Sequence, residues 1–297
     1  MPASLALLAF PLSAALLYAF GAMVLKRSSD LGVGVWRTTF VVNLIVAGCF
    51  SLLWLLGGPP VKIEWLWQPA LIALCLFVGQ LTQFVALDKG DVSVVVPVFG
   101  LKVVIVALFT PMIVGEPVPA IMGLAALLSV AGVTFLNRKD HNTAARSMAT
   151  AITAGCGGAV AFALFDMLVQ KWGPAWGAGR LLPCIFWMNA ILSFGLVLQF
   201  RAPLSAIPAQ GWKWLLGGSI LLGTQSILFV SFLAIYGKAT AANVIYSSRG
   251  LLSVILVWTI GHWFANAEQG LGAKVLRWRL IGALMMLAAI IIVITQK

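Results

Sequence analysis

The chain alternates long apolar runs with short polar breaks. Ten of the runs are close to the length of about 20 residues that a helix needs to cross a hydrocarbon core of about 30 Å. Several breaks, including 57–60, 115–117 and 172–174, contain the glycine and proline residues that readily end helices at a membrane interface. The pattern predicts an all-α integral membrane fold with both termini on one face. The ten predicted transmembrane helices are residues 4–25, 35–57, 65–87, 92–114, 118–136, 147–169, 180–200, 212–235, 240–263 and 280–294.

Composition agrees with a membrane protein and excludes a soluble one. Hydrophobic residues make up 62% of the 297 residues and charged residues 9%, whereas soluble domains contain about 45–50% and about 25%. The net charge of +11 comes from Lys and Arg in short clusters between the apolar runs, which is typical of topology signals and not of a nucleic-acid-binding face. We therefore expect a multi-pass protein of the plasma (inner) membrane, surrounded by membrane lipid and without a nucleic-acid partner.

Weak internal similarity divides the chain into two halves. The longest polar stretch, 137–146, lies near the middle, and short patterns recur about 145 residues apart. An odd number of helices in each half requires opposite orientations, and inverted repeats commonly hold a substrate site at their interface. The sequence predicts two inverted five-helix repeats, 1–140 and 141–297, with a central substrate cavity between them. The recurring residues include a Gln in helices 3 and 8 and a cation in helices 4 and 9, namely Gln80, Gln225, Lys102 and Arg249.

One stretch of the first half resembles a known family. Residues 86–137 contain a polar turn after helix 3, Pro97 within helix 4, a turn formed by Gly115 and Glu116, and a Gly-rich helix 5. This arrangement resembles the EamA-like branch of the drug/metabolite transporter (DMT) superfamily. The resemblance implies a ten-helix secondary transporter. It does not name the substrate, because members of the superfamily carry amino acids, nucleotide sugars, sugar phosphates, amines and drugs.

The second half looks like another copy of the same pattern. Residues 234–294 place Glu268 in the corresponding turn and Gly282 in helix 10, so the resemblance extends over nearly the whole chain. Two features depart from the family pattern. The second Gly-Glu turn is expanded into 266–279, and the basic C-terminal tail common in the family is reduced to Lys297.

Lys102, Asp166 and Arg249 lie well inside predicted spans, away from the span ends. Lys102 lies about ten residues into helix 4 and Arg249 about two turns inside helix 9, where a charge costs several kcal/mol unless it is paired or hydrated. Each cation could belong to a structural ion pair, but Asp166 is the only acidic residue clearly inside a span, and one acid cannot fully pair two cations. We therefore expect a substrate with an anionic group. Asp166 would contact a substrate amine or carry a coupling proton.

Amides and aromatic residues surround these ions along the sequence. Gln80 and Gln83 lie one turn apart and share a helix face. Amides at this spacing suit a polar site, but they also hold helices together in lipid. Among the aromatic residues, Tyr18 and Tyr246 are the best cavity candidates. The candidate substrate-binding residues are Lys102, Arg249, Asp166, Gln80, Gln83, Asn43, Tyr18, Tyr246, Phe99, Gln225 and Asn243.

The sequence contains none of the motifs that would indicate ATP hydrolysis or catalysis. A Walker-type loop, HExxH, GxSxG and Cys/His ligand spacing are all missing, so we expect no enzyme activity, no cofactor and no metal. The leading interpretation is a secondary carrier of an amino acid or similar small molecule, working by alternating access with a coupling proton or an exchange substrate. The alternative is a carrier of phosphorylated compounds, or a flippase for a lipid-linked headgroup. A sealed central cavity favours the first, and a lateral opening with basic residues at its mouth favours the second.

Two indications of the orientation disagree. Most Lys and Arg residues lie in the loops that follow odd-numbered helices. The positive-inside rule would therefore put both termini outside the cytoplasm. The family resemblance implies cytoplasmic termini, so the orientation stays open, with the charge distribution favouring the outside.

Overall fold

The computed structural model describes residues 3–89, 92–136, 145–260 and 273–295. Every regular element in these ranges is a helix. Two 3₁₀ segments, Leu52–Leu56 and Ser193–Gln199, continue the second and seventh helices. The α-helices are α1 (Ala3–Asp30), α2 (Val35–Ser51), α3 (Trp67–Lys89), α4 (Val92–Ile113), α5 (Ala120–Leu136), α6 (Ala145–Trp176), α7 (Ala178–Leu192), α8 (Ala209–Tyr236), α9 (Ala239–Tyr246), α10 (Arg249–Ile260) and α11 (Ala273–Thr295).

The helices have the lengths and surfaces of a membrane protein. Eight helical segments of the described chain are long and apolar enough to cross a bilayer, and α5 is a shorter apolar helix. The α9 and α10 helices together occupy the ninth predicted span. Large apolar side chains stay exposed along the spans, including Met112 (77%) and Leu127 (58%), as expected where lipid rather than water is the surrounding medium. The predicted all-α, ten-helix membrane fold is confirmed.

The predicted break at 172–174 is wrong. Helix α6 continues through Gly173 and Pro174 to Trp176, and it ends at Gly177, whose φ of 71° favours glycine. Gly173 serves helix packing instead of a turn, because a Cβ atom there would lie 2.6 Å from the carbonyl oxygen of Ala234 on α8. Glycine at this position lets the two helices approach closely.

The ninth predicted helix is also not continuous. It is split into α9 and α10 by a turn at Ser247 and Ser248. The Ser247 hydroxyl donates a hydrogen bond to the Val244 carbonyl oxygen at 2.6 Å, and serine side chains that bond to nearby backbone in this way compete with regular helix. As a result Arg249 is the first residue of α10. The end of the predicted span, Glu268 and the 137–144 stretch of the predicted joint lie outside the described residues.

The contacts between helices follow the same pattern in the two halves. Helix α1 packs against α8 as α6 packs against α3, and α2 packs against α8 as α7 packs against α3. The helices α1 to α5 can be matched in order with α6, α7, α8, the α9–α10 pair and α11. Under this matching the α1–α8 contact corresponds to the α6–α3 contact, and the α2–α8 contact corresponds to the α7–α3 contact. Gly34 and Gly177 also precede α2 and α7 with nearly the same backbone angles, φ 77° and ψ 146° against φ 71° and ψ 142°. Such a correspondence is expected of two related halves. That they are inverted copies stays a prediction.

Candidate functional site

A cavity of about 300 Å³ lies inside the helical bundle, with walls from helices of both halves. Asn243, on α9, lines a smaller adjoining cavity of about 70 Å³ together with Lys102 and Arg249. The structure therefore brings all of the candidate residues into one region, although their role in binding stays a prediction. The candidates that line the larger cavity are Tyr18, Asn43, Gln80, Gln83, Phe99, Lys102, Asp166, Gln225, Tyr246 and Arg249.

Lys102 and Asp166 form a salt bridge across the α4–α6 packing. The Nζ atom of Lys102 lies 2.7 Å from Oδ2 of Asp166, and the side-chain amide of Asn243 donates a hydrogen bond to the same oxygen at 2.6 Å. The other carboxylate oxygen, Oδ1, is buried and has no hydrogen-bond partner among the described residues. The Lys102 side chain keeps 17% of its surface exposed to the cavity, against 1% for Asp166. Of the two interpretations offered by the sequence, an ion pair describes Lys102.

Arg249 is held differently. Its guanidinium carbon lies 4.6 Å from the ring centre of Tyr18 and 4.7 Å from that of Tyr246. The two rings meet edge to face, with centres 6.1 Å apart. Cation–π contacts of this kind hold an arginine in place without neutralising it. In the described part of the chain no carboxylate lies within ion-pair distance of Arg249, so its full positive charge is available to the cavity.

The amide side chains form two hydrogen-bonded groups on the cavity wall. Asn43 and Gln80 exchange a pair of hydrogen bonds of 3.0 and 3.1 Å between α2 and α3. Gln225 accepts a hydrogen bond from the Tyr246 hydroxyl at 2.8 Å and donates one to the Ser226 hydroxyl at 2.7 Å. Asn43 and Gln80 join two helices and also line the cavity. The two roles considered for these amides, helix association and a polar site, are therefore compatible.

Several aromatic cavity residues were missed by the sequence analysis. Phe229 stacks on Tyr246 with ring centres 4.3 Å apart, and the Nζ atom of Lys102 lies 5.7 Å from the Phe229 ring centre. Phe165 and Phe186 line the same cavity. Phe229 could have been found, because it follows Gln225 in the pattern that recurs in helix 3. Phe165 and Phe186 lie within apolar stretches of the sequence, where no pattern distinguishes a residue that lines a cavity from one that packs against another helix.

A second, larger opening lies at the end of the bundle where α1 and α3 end and α2 begins. This cleft of about 810 Å³ has apolar walls that include Trp36 and Phe84, which meet edge to face at 5.4 Å. Its charged lining residues are Arg37, Asp88, Lys89 and Arg201, and Lys89 is paired with Asp88 at 2.9 Å. Three of the four are basic, so this opening is called the basic cleft. The Arg37 guanidinium donates hydrogen bonds to the carbonyl oxygens of three loop residues, so it fastens these loops to α2. These residues are Gly32, Val33 and Pro203.

The side chains of the described residues do not form a metal site. Nowhere in the described ranges do three or more His, Cys, Asp or Glu side chains come close enough together to hold a metal ion. The four cysteines have free thiols. The chemistry available at the cavity is therefore that of one ion pair, one arginine, several amides and aromatic rings.

Comparisons with known proteins identify relatives of the first half and of the whole fold. The family model described as the EamA-like transporter family matches residues 4–138. A solved structure described only as "Crystal structure of protein" superposes with a TM-score of 0.72 at 16% sequence identity. The superposition covers 96% of this chain and 95% of the other, and at this identity it shows a shared fold alone. No curated protein matches the chain significantly.

Proposed function

Through residues 4–138 this chain belongs to the EamA-like transporter family of the DMT superfamily, and from this membership we propose a secondary transporter of a small metabolite with an anionic group. The family consists of membrane transporters of small molecules rather than enzymes. An amino acid or a similar compound is the proposed substrate. We further propose that the chain resides in the plasma (inner) membrane.

The position of Arg249 carries this proposal. An arginine inside the membrane is costly unless it is paired or hydrated, and here the contacting groups are aromatic rings instead of an acid. The planar guanidinium fork matches a carboxylate in geometry and charge. A substrate carboxylate in the cavity would complete the electrostatic balance that the described side chains leave incomplete.

The position of the cavity supports alternating access. Its walls include Gln80 and Lys102 from the first half and Gln225 and Arg249 from the second. A movement of one half against the other would therefore change the access to a site that stays in the middle. Asp166 is the candidate for a coupling proton, and an exchange substrate is the other proposed driving force.

The basic cleft favours the second candidate function. Lys89 is paired with Asp88 at 2.9 Å and Arg37 with loop carbonyl oxygens, so Arg201 is the residue of this apolar-walled cleft that suits the anionic head of an amphipathic substrate. A carrier of phosphorylated metabolites, or a flippase for a lipid-linked headgroup, would use this cleft as its entrance.

A ligand screen and an arginine variant together test the proposal. Ligands that bind the folded state raise its apparent stability, so purified protein is screened by thermal shift against amino acids, polyamines, sugar phosphates and nucleotide sugars. We expect stabilisation by small carboxylates, and uptake of the best ligand into proteoliposomes that is lost in Arg249→Gln. Lys171→Gln, an exposed cation on α6, serves as the control.

The results of the ligand screen and of the transport assays distinguish the two proposed functions. Stabilisation by phosphorylated compounds alone would favour the second function over the first. Unchanged transport in both Arg249→Gln and Lys102→Met would remove the proposed site. Folding of each variant is checked by its elution as a single species in detergent, so that lost transport is not confused with lost structure.

A further inference from the structure

The charges that line the central cavity do not cancel. Among the described residues, the charged side chains on its wall are Lys102, Asp166 and Arg249. Two cations and one anion give this wall a net charge of +1.

This net charge does not depend on where the proton of the ion pair lies. Lys102 and Asp166 are 2.7 Å apart, and their sum is zero whether the proton sits on the amine or on the carboxylate. Arg249 remains charged in either case, because a guanidinium in a protein is not deprotonated. The remaining charge of +1 therefore belongs to Arg249.

No carboxylate of the described residues is ion-paired with Arg249, so within these ranges its charge lacks a full counterion. Contacts with the faces of Tyr18 and Tyr246 attract the guanidinium through ring quadrupoles, which is a weaker interaction than a neighbouring carboxylate provides. A charge in a poorly hydrated membrane interior is most stable with an opposite charge beside it. A ligand that supplies one negative charge would meet this need, and a second negative charge would go beyond it.

We infer that the transported substrate carries a net charge of −1, with its carboxylate bound at Arg249. This inference rests on the proposed transport function and specifies its substrate class. In this inference Lys102 stays paired with Asp166, and Arg249 alone holds the anion. The buried Oδ1 atom of Asp166 has no partner among the described residues. A side-chain movement that turns it towards the cavity would let it accept a hydrogen bond from a substrate N–H group.

An acidic amino acid uses both of these features. It has two carboxylates and one ammonium group, which give a net charge of −1, and it can place a carboxylate at Arg249 and its ammonium group at Asp166. Simple monocarboxylates satisfy the charge without using Oδ1. Neutral amino acids leave the cavity at +1, whereas dicarboxylates and sugar phosphates, with about two negative charges, overcompensate it.

The test compares ligands that match in shape and differ in charge. Purified full-length protein is assayed by thermal shift and by inhibition of uptake in proteoliposomes, with the monoanions glutamate, aspartate and pyruvate. Glutamine and asparagine are the neutral counterparts, and succinate is the dianion. We expect a monoanion to bind at least about tenfold more tightly than its neutral or doubly charged counterpart.

Substitutions at Arg249, Asp166 and Lys102 lower or raise the net charge of the cavity wall. Arg249→Gln brings the net charge to zero and should abolish the preference for monoanions, whereas Arg249→Lys retains the charge and should retain part of the preference. Asp166→Asn raises the net charge to +2 and should shift the preference towards succinate. The double variant Lys102→Met/Asp166→Asn returns the net charge to +1, and it should favour monoanions again even if its overall affinity is lower.

The outcomes distinguish this inference from the proposed function. Binding of a neutral amino acid as tight as that of its acidic counterpart would overturn the inference and leave the transporter in place. A preference for monoanions that survives in Arg249→Gln would overturn it as well. Failure of every ligand class, in both binding and transport, would overturn the proposed function and the inference with it.

Discussion

Gln170 and Glu116 are joined by a hydrogen bond of 2.7 Å between the side-chain Nε2 and Oε2 atoms. The Oε1 atom of Gln170 also accepts a hydrogen bond from the backbone N–H of Ala239 at 2.8 Å. Gln170 lies near the end of α6, Glu116 lies between α4 and α5, and Ala239 begins α9. The bond to Glu116 connects the two halves at the end of the bundle opposite the basic cleft, whereas the bond from Ala239 lies within the second half. A movement that separates the halves at this end would break the Gln170–Glu116 bond.

Removal of the Gln170 side chain should make the closed end open more often. A hydrogen bond to a carboxylate contributes about 1.5–3 kcal/mol net, which corresponds to an increase of at least about tenfold in an open-to-closed ratio. In a background with the four native cysteines replaced by alanine, a cysteine placed at Val230, on the cavity wall, is labelled with a water-soluble maleimide. Gln170→Ala is expected to accelerate the labelling at least about tenfold.

Two further variants control for this effect. Lys171→Ala removes the exposed neighbour of Gln170 and should leave the labelling rate unchanged. Glu116→Gln keeps a carbonyl oxygen that can accept the hydrogen bond, so its effect should be smaller than that of Gln170→Ala. Equal labelling rates in Gln170→Ala and the parent protein would show that this contact does not restrain the opening.

The paired amides of Asn43 and Gln80 should be energetically coupled. Either single replacement, Asn43→Leu or Gln80→Met, leaves the other amide without its partner, whereas the double replacement removes both polar groups together. Polar pairs between membrane helices average about 0.6 kcal/mol in double-mutant cycles, with a maximum of about 1.7 kcal/mol. Unfolding of the four proteins in detergent should give a coupling energy in this range.

Gln83 provides the matched control for this cycle. It lines the same cavity one turn further along α3, but the described hydrogen bonds of Asn43 go to Gln80 alone. A cycle of Asn43→Leu with Gln83→Met should therefore show additive effects. Coupling of the same size in both cycles would mean that the measured energy reflects general loosening of the α2–α3 region, and the specific contribution of the amide pair would be refuted.

The sequence located the charged residues of the cavity because a charge within an apolar run is costly and therefore conspicuous. Their number is also evident from the sequence, which has one acidic residue well inside a span for the two cations Lys102 and Arg249. The count could not say which cation Asp166 neutralises. That depends on the packing of α4 against α6, a tertiary relationship that one helix pattern does not contain.

The two errors in helix boundaries have a common physical reason. Pro174 and Gly173 were interpreted as a turn, but Gly173 is used for a close approach to α8 and the helix continues. Ser247 and Ser248 were interpreted as helix, but a turn forms there without glycine or proline. In both places the local sequence permits either a helix or a turn, and a contact made in the folded chain decides. At Gly173 it is the close approach to Ala234, and at Ser247 it is the hydrogen bond to the Val244 carbonyl oxygen.

Gly132 and Gly282 form the closest crossing between α5 and α11, and neither should tolerate alanine. A Cβ atom on Gly132 would lie 2.8 Å from the Gly282 carbonyl oxygen, and one on Gly282 would lie 2.6 Å from the Gly132 carbonyl oxygen. Both obstacles are backbone atoms that cannot rotate away. Overpacking of this kind typically costs about 1–3 kcal/mol, so Gly132→Ala and Gly282→Ala should each lower the thermal unfolding temperature in detergent.

Gly123 on the same helix provides the comparison for this prediction. A Cβ atom at Gly123 would meet no atom within 4 Å, and alanine is favoured over glycine inside a helix by about 1 kcal/mol. Gly123→Ala should therefore leave the unfolding temperature unchanged or raise it. If Gly132→Ala behaves like Gly123→Ala, the close crossing of α5 and α11 is not present in the folded protein.

The distribution of basic residues predicts on which side of the membrane the basic cleft opens. Arg37, Lys89 and Arg201 belong to the end of the bundle that also carries most of the basic loop residues. Cytoplasmic loops are rich in Lys and Arg, so this end should face the cytoplasm and the Glu116 end should face the other side. Both termini lie at the Glu116 end, since an even number of spans separates them.

A reporter fused to the C-terminus, active only outside the cytoplasm, should therefore be active, and a reporter active only in the cytoplasm should be silent. The two fusions are compared at equal expression, and a second pair in the loop around Arg201 should give the reverse pattern. Cytoplasmic activity of the C-terminal fusion would agree with the usual orientation of the family instead. The basic cleft would then open away from the cytoplasm, and the closed end around Gln170 would be the cytoplasmic end of the transport path.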